Sequence, residues 1–142
     1  MSGSITFVGA GPGAADLITI RGKRKLEEAD VVIYAGSLVD ERLLDGLRAE
    51  KHNSAGMNFD EVVNVMVRAW KNGKSVVRLH TGDPAMYGAV GEQFRALDER
   101  GIPYEVVPGV SSVFAAAAAL KTEFTMPGIS QTAFLTRDAG RT

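Results

Sequence analysis

Four short runs of the chain are nearly unbroken in apolar and β-branched residues: residues 5–8, 31–35, 76–79 and 104–107. Runs of that length and density are what strands buried on both faces of a sheet look like. Between them the apolar spacing changes to threes and fours. Phe59, Val62, Val63, Met66 and Trp70 share one helical face behind an Asn58-x-x-Glu61 capping box, and Gly73 follows as the stop. Tyr87, Val90, Phe94 and Leu97 repeat the pattern ahead of Gly101, and Asp40 leads into Leu43, Leu44 and Leu47. Residues 20–29 form a more polar helix, and the alanine run at 112–120 is helical by propensity, as a buried helix. A fifth strand is assigned at residues 51–54 because the alternation requires one there.

Strands alternating with helices imply right-handed crossovers. The expected fold is α/β: a doubly wound, mainly parallel five-stranded sheet with helices on both faces. Such sheets bind ligands beyond the carboxyl ends of their strands, so the residues just after each run carry the functional interest. After Met126-Pro127-Gly128, residues 129–136 read as a sixth strand with almost nothing after it to cover it. It is expected to be the first strand of a second α/β domain that is absent here. The division is then an N-terminal subdomain at 1–120, a linker at 121–128 and the start of a truncated C-terminal subdomain at 129–142.

Composition narrows the class without adding a function. The 142 residues are enough for one sizeable core, with 45% hydrophobic and 23% charged residues. With 16 basic against 17 acidic residues the net charge is -1, so no basic field points to nucleic acid. No apolar stretch is long enough to span a bilayer, no signal peptide is visible, and no membrane role is expected. The absence of cysteine removes disulfides, thiolate metal sites and a cysteine nucleophile, and fits a cytoplasmic setting.

Three glycine-containing loops follow strands. The first, VGAGPGAADLIT at residues 8–19, passes the loose dinucleotide fingerprint through Gly9, Gly11 and Ala14. Three details argue against that use. Pro12 removes a backbone donor from any phosphate cradle, and no helix starts before about Thr19. The second strand also ends in Tyr34-Ala35-Gly36, with no acid to take a ribose. The second loop, TGDPAMYG at 81–88, places Asp83-Pro84 as cap and first residue of the next helix. The third, VPGVSS at 107–112, makes a turn and then offers Ser111 or Ser112 as a cap. Each loop alone is explained by a turn or a helix start; together they share one edge of the sheet. His80, one residue before the second loop, could meet a substrate carboxylate or hold a structural hydrogen bond. Arg78 reads as solvated by default, and His52 as a surface histidine with no nearby partner.

In this order the three loops resemble the N-domain motifs of the tetrapyrrole methylase superfamily. The stretches Tyr34-Ala35-Gly36-Ser37-Leu38-Val39 and Ser54-Ala55-Gly56-Met57 are similar to its precorrin-4 C(11)-methyltransferase branch, as is the closing Ser130-Gln131-Thr132 to Leu135-Thr136-Arg137. The resemblance implies an S-adenosylmethionine-dependent C-methyltransferase of cobalamin biosynthesis, homodimeric, with a tetrapyrrole substrate and no metal. By position it places Pro12, Thr81, Gly82, Asp83, Met86, Ser111 and Ser112 around S-adenosylmethionine, and Ser37, His80 and Tyr87 on the substrate side. It singles out no general base, because an electron-rich ring carbon can attack the methyl group directly and positioning can supply much of the rate. This chain alone is expected to be a poor catalyst. The rival readings are a sister methylase acting on another carbon and a nucleotide-binding module without methyl transfer.

Overall fold

The apolar runs become the strands of a five-stranded sheet in a computed structural model, which describes residues 1–139. The strands are β1 (Ser4–Gly9), β2 (Val31–Tyr34), β3 (Glu50–Asn53), β4 (Ser75–His80) and β5 (Glu105–Val107). They lie in the order β3-β2-β4-β1-β5, and every pairing is parallel. The helices are α1 (Ile20–Glu27), α2 (Phe59–Lys71), α3 (Val90–Asp98) and α4 (Ser112–Leu120).

Strand alternation divides the inner residues between two faces. Ile5, Phe7, Val31, Ile33 and Val76 pack with Val62, Val63 and Met66 of α2 and Leu97 of α3. Val8, Val32, Val77, Leu79 and Val107 pack on the other face with Leu26 of α1 and with Val39 and Leu44. Helices therefore cover both faces. An aromatic knot ties α3 down: Phe94 meets Phe7 edge-on at 4.8 Å and stacks on Tyr104 at 4.8 Å. The helix starts are local. Thr19 accepts from Gly22 N at 3.0 Å to cap α1, and the Asn58/Glu61 box closes at 2.9 and 2.7 Å.

Several expectations change in the structure. Asp40 caps only a 3-10 turn, Glu41–Leu44, rather than an α-helix, yet Leu43, Leu44 and Leu47 still reach the core. β5 is an edge strand, so Val106 is exposed instead of buried. No helix starts at Pro84. Residues 84–87 form a turn, Tyr87 and Ala89 adopt left-handed φ values of 55° and 49°, and α3 begins only at Val90. A helix cannot run through those left-handed residues.

The chain divides into two compact units, Met1–Ser112 and Val113 onward. The second unit contains most of α4, no residue of which is buried, contrary to the buried helix expected there. Its ring contact is Phe114 with Phe124 at 6.0 Å. The sixth strand does not form: residues 129–136 are irregular apart from an isolated bridge between Met126 and Ser130. A strand needs a partner's ladder to satisfy its backbone, and none is present for this segment among the described residues. Residues 140–142, the end of the expected C-terminal subdomain start, lie outside the described residues.

Candidate functional site

The site is built by backbone before any side chain contributes. β1 lies between β4 and β5, so the loop after β1 is flanked by the loops after its two neighbours. Gly11 and Gly82 form an antiparallel bridge, with Gly82 N donating to Gly11 O at 2.7 Å and Gly11 N to Gly82 O at 3.2 Å. Gly9, Gly82 and Gly109 touch main chain to main chain. A Cβ built on Gly9 would sit 2.5 Å from Gly109 Cα and 2.6 Å from Gly82 O. One built on Gly109 would overlap the Gly82 oxygen. Close approach of three chains is the physical reason for glycine here.

Asp83 locks the arrangement. Its Oδ1 accepts from Ala85 N at 2.8 Å, shaping the turn, and its Oδ2 accepts from Gly109 N at 2.9 Å, 26 residues away. The carboxylate thus staples the β4 loop to the β5 loop with two charge-assisted bonds. It was expected to cap the next helix; the structure gives it a turn and an inter-loop staple instead. The Ser111 Cα is 3.7 Å from the position of a Cβ on Gly82. Pro12, Asp83, Met86 and Ser111 are half-buried on this edge, whereas Thr81 and Ser112 are exposed, Ser112 as the first residue of α4. The structure therefore brings the loops of all seven expected cofactor residues to one edge. Tyr87 is exposed in the strained stretch beyond Met86. Ser37 lies exposed in the turn after β2, on the same carboxyl edge next to β4, with no hydrogen bond to the three loops among those of the described residues.

His80 is 7% exposed and Arg78 8% exposed. Both point from β4 into the face covered by α2 and α3, the parity of Val76. Burial, with Arg78 adding to it, pushes the His80 imidazole down to about 3, so it is neutral at physiological pH. Its ring stacks on Phe7 at 6.1 Å and its Nε2 is buried without a partner. Burial lowers the Arg78 guanidinium to about 10, which leaves it charged. Neither the burial of Arg78 nor the roles of Gly9 and Gly109 were foreseen; the parity of Arg78 with Val76 was the available signal. His52 does have a partner, Glu50 Oε1 at 2.9 Å.

The loop chemistry limits what the edge can hold. Across residues 9–14, 81–88 and 108–112 there is no lysine or arginine, and Asp83 is the sole charged residue. Phosphates would find no counter-charge there. Hydroxyls, backbone groups, an apolar methionine and one carboxylate suit a ligand that carries positive charge and an apolar body. S-adenosylmethionine, with its sulfonium and ammonium, has that chemistry. No helix among the described residues is long and apolar enough to cross a membrane.

Comparison with known proteins agrees with this geometry. The pattern of the Tetrapyrrole (Corrin/Porphyrin) Methylases matches residues 4–142. The cobalt-precorrin-4 C(11)-methyltransferase of Methanocaldococcus jannaschii is 58% identical over 140 residues, which are 97% of this chain and 54% of that protein. A solved structure of a cobalamin biosynthetic enzyme, cobalt precorrin-4 methyltransferase, superposes with a TM-score of 0.93 at 51% identity, over 97% of this chain and 59% of that one. The uroporphyrin-III C-methyltransferase of Thermus thermophilus, solved in complex with S-adenosyl homocysteine, gives a TM-score of 0.77 at 38% identity, over 92% of this chain and 53% of that one. The chain thus spans about half the length of the curated relative it matches.

Proposed function

The chain belongs to the tetrapyrrole (corrin/porphyrin) methylase family, and on that premise we propose that it forms the S-adenosylmethionine-binding half of a precorrin-4 C(11)-methyltransferase. The observation that carries this reading is the junction of Gly9, Gly82 and Gly109, stapled by Asp83, among three loops that contain no lysine or arginine. Pro12, Thr81, Gly82, Asp83, Met86, Ser111 and Ser112 hold the cofactor. Asp83 does so through the loops it positions as much as through its own charge. Ser37, His80 and Tyr87 lie toward the tetrapyrrole. Bound S-adenosylmethionine supplies an electrophilic methyl group on sulfur. The loops orient it and keep the sulfonium away from water, which is where positioning gains rate. The substrate is precorrin-4 or its cobalt form, and the working enzyme is a cytoplasmic homodimer. Its remaining wall comes from a C-terminal subdomain, in which residues 129–142 are the first segment after the linker at 121–128.

Calorimetric titration of the chain with S-adenosylhomocysteine, NAD and ATP tests the reading. Weak binding of S-adenosylhomocysteine alone is expected, with no methylated product by mass spectrometry when precorrin-4 and S-adenosylmethionine are supplied. Binding of NAD or ATP in its place would overturn the proposal. Turnover by this chain as fast as by a version extended with a second domain would overturn the division of labour.

A further inference from the structure

Arg78 has no counter-charge among the described residues. The ion pairs of the described residues join Lys23 to Glu27, Lys25 to Glu105, Arg42 to Asp40, His52 to Glu50 and Lys74 to Glu50; none involves Arg78. Its contacts within the chain are two long hydrogen bonds, from Nε to Gln93 Oε1 and from Nη1 to Ile33 O, each 3.4 Å. A guanidinium has five N–H donors, so three remain, two on Nη2 and one on Nη1. The two on Nη2 point to different edges of the plane, one shared with Nη1 and one with Nε, and an edge of that kind is what meets a carboxylate. Among the described residues the buried polar side-chain atoms without partners are Trp70 Nε1 and His80 Nε2, so Nη2, which has no acceptor among them either, is not sealed off.

A buried charge held by two weak, neutral acceptors is a poor structural device. Desolvation costs more than such bonds return, and folded proteins pair buried charges. The surroundings are nevertheless organised. Gln93, 6% exposed, is fixed by α3, which the Phe7–Phe94–Tyr104 knot clamps to the sheet. His80, two residues further along the same strand face, adds a neutral imidazole with an unused nitrogen. One positive charge flanked by neutral hydrogen-bonding groups matches a single negative charge on a planar group. Phosphate, with more charge and more acceptors, would need further cations.

We propose that Arg78, with Gln93 and His80 beside it, is an anion seat at the carboxyl end of β4 that takes one carboxylate of the tetrapyrrole's acetate or propionate side chains. This rests on the family-based reading of the function. Arg78 supplies the charge in this seat, and His80 is its neutral neighbour. The seat lies on the same strand that leads directly into Thr81, Gly82 and Asp83, so a ring anchored at Arg78 is registered against the loops that hold the methyl donor.

Uroporphyrin III, a polycarboxylate tetrapyrrole, serves as the probe for the 142-residue chain, followed by fluorescence anisotropy, with S-adenosylhomocysteine titrated separately by calorimetry. Arg78→Gln is expected to weaken porphyrin binding by about 10- to 100-fold, the range for a lost charge-assisted contact, and to leave S-adenosylhomocysteine binding unchanged. Arg78→Lys keeps the charge without the fork and should fall in between. The Arg78 Nε–H signal in the 15N spectrum of the unmodified chain, which requires no variant to fold, should shift on adding uroporphyrin III. Unaltered porphyrin affinity in Arg78→Gln, or an unmoved Nε–H signal, overturns the seat. Equal loss of both ligands in a folded Arg78→Gln also overturns it, because that is the signature of a merely structural arginine. An unmodified chain that binds neither ligand sinks the functional reading and the seat together; binding of both, indifferent to Arg78, sinks the seat alone.

Discussion

Gly9→Ala is the most direct test of the loop junction. The new methyl would lie 2.5 Å from Gly109 Cα and 2.6 Å from both Gly109 N and Gly82 O, all backbone atoms that no rotamer change can move. Carbon contacts settle near 3.5–4.0 Å, so the loops after β1 and β5 must part by about 1 Å. That shift would stretch the 2.9 Å bond from Gly109 N to Asp83 Oδ2 beyond useful range. Overpacking costs about 1–3 kcal/mol and the charge-assisted bond about 1.5–3 kcal/mol. The stiffer unfolded chain returns about 0.4–1 kcal/mol. A net loss of about 1.5–5.5 kcal/mol follows, or roughly 5–19 °C in Tm for a chain of this size. Urea unfolding followed through the single tryptophan, Trp70, measures it. Binding of S-adenosylhomocysteine should fall alongside. Gly91→Ala in α3 is the matched control: its methyl meets nothing within 4 Å, so it should stabilise by about 0.5–1 kcal/mol. A Gly9→Ala chain within about 0.5 kcal/mol of the unmodified one, the scatter of ordinary surface changes, would refute the close-contact account of the site.

Three further outcomes are expected. His80 is neutral when folded, with its value near 3 against an ordinary 6.5, so between those pH values the unfolded chain binds the extra proton and stability rises with pH. His80→Phe should remove up to about 1.4 kcal/mol per pH unit of that slope, visible as a difference between urea midpoints at pH 4 and 7; parallel profiles would contradict the burial. Asn58→Ala removes the Oδ1 that accepts from Glu61 N in the α2 capping box and should cost about 0.5–2 kcal/mol in urea unfolding. Ile129 and Phe134 are 79% and 88% exposed, so Ile129→Lys with Phe134→Lys should reduce self-association in light scattering, and equal association would count against that segment as its cause.

How much was legible follows from how local each cause is. The inner strands β1, β2 and β4 are sandwiched between helices, so burial on both faces wrote itself into unbroken apolar runs. The α2 cap is a four-residue event and could be read as one. β3, with its sequence Glu-Lys-His-Asn, has no apolar signature; it exists because β2 offers a ladder and because Glu50 N finds Asp30 O at 2.9 Å. The turn over residues 84–87 was misread as a helix start because Asp-Pro serves both, and only the left-handed Tyr87 and Ala89 decide between them. Residues 129–136 have the composition of a strand, but composition cannot supply a partner.

The candidate site shows the same divide at a higher level. That three loops follow strands could be seen along the chain; that these three touch depends on strand order. Placing β4 between β2 and β1, and β5 on the far side of β1, makes neighbours of Gly9, Gly82 and Gly109, which are widely separated in sequence. The loops after β2 and β3 share the carboxyl edge but stand beyond β4, and they contribute nothing to the glycine contact. β4 therefore has two tasks. Its end feeds the backbone junction through Gly82 and Asp83, while its inward parity carries Arg78 and His80 under α3. Because a rigid strand joins the two, the spacing between the glycine junction and the proposed carboxylate seat is set by strand geometry, about 3.3 Å per residue, and not by loop motion. The methyl transfer proposed above would need that kind of fixed distance.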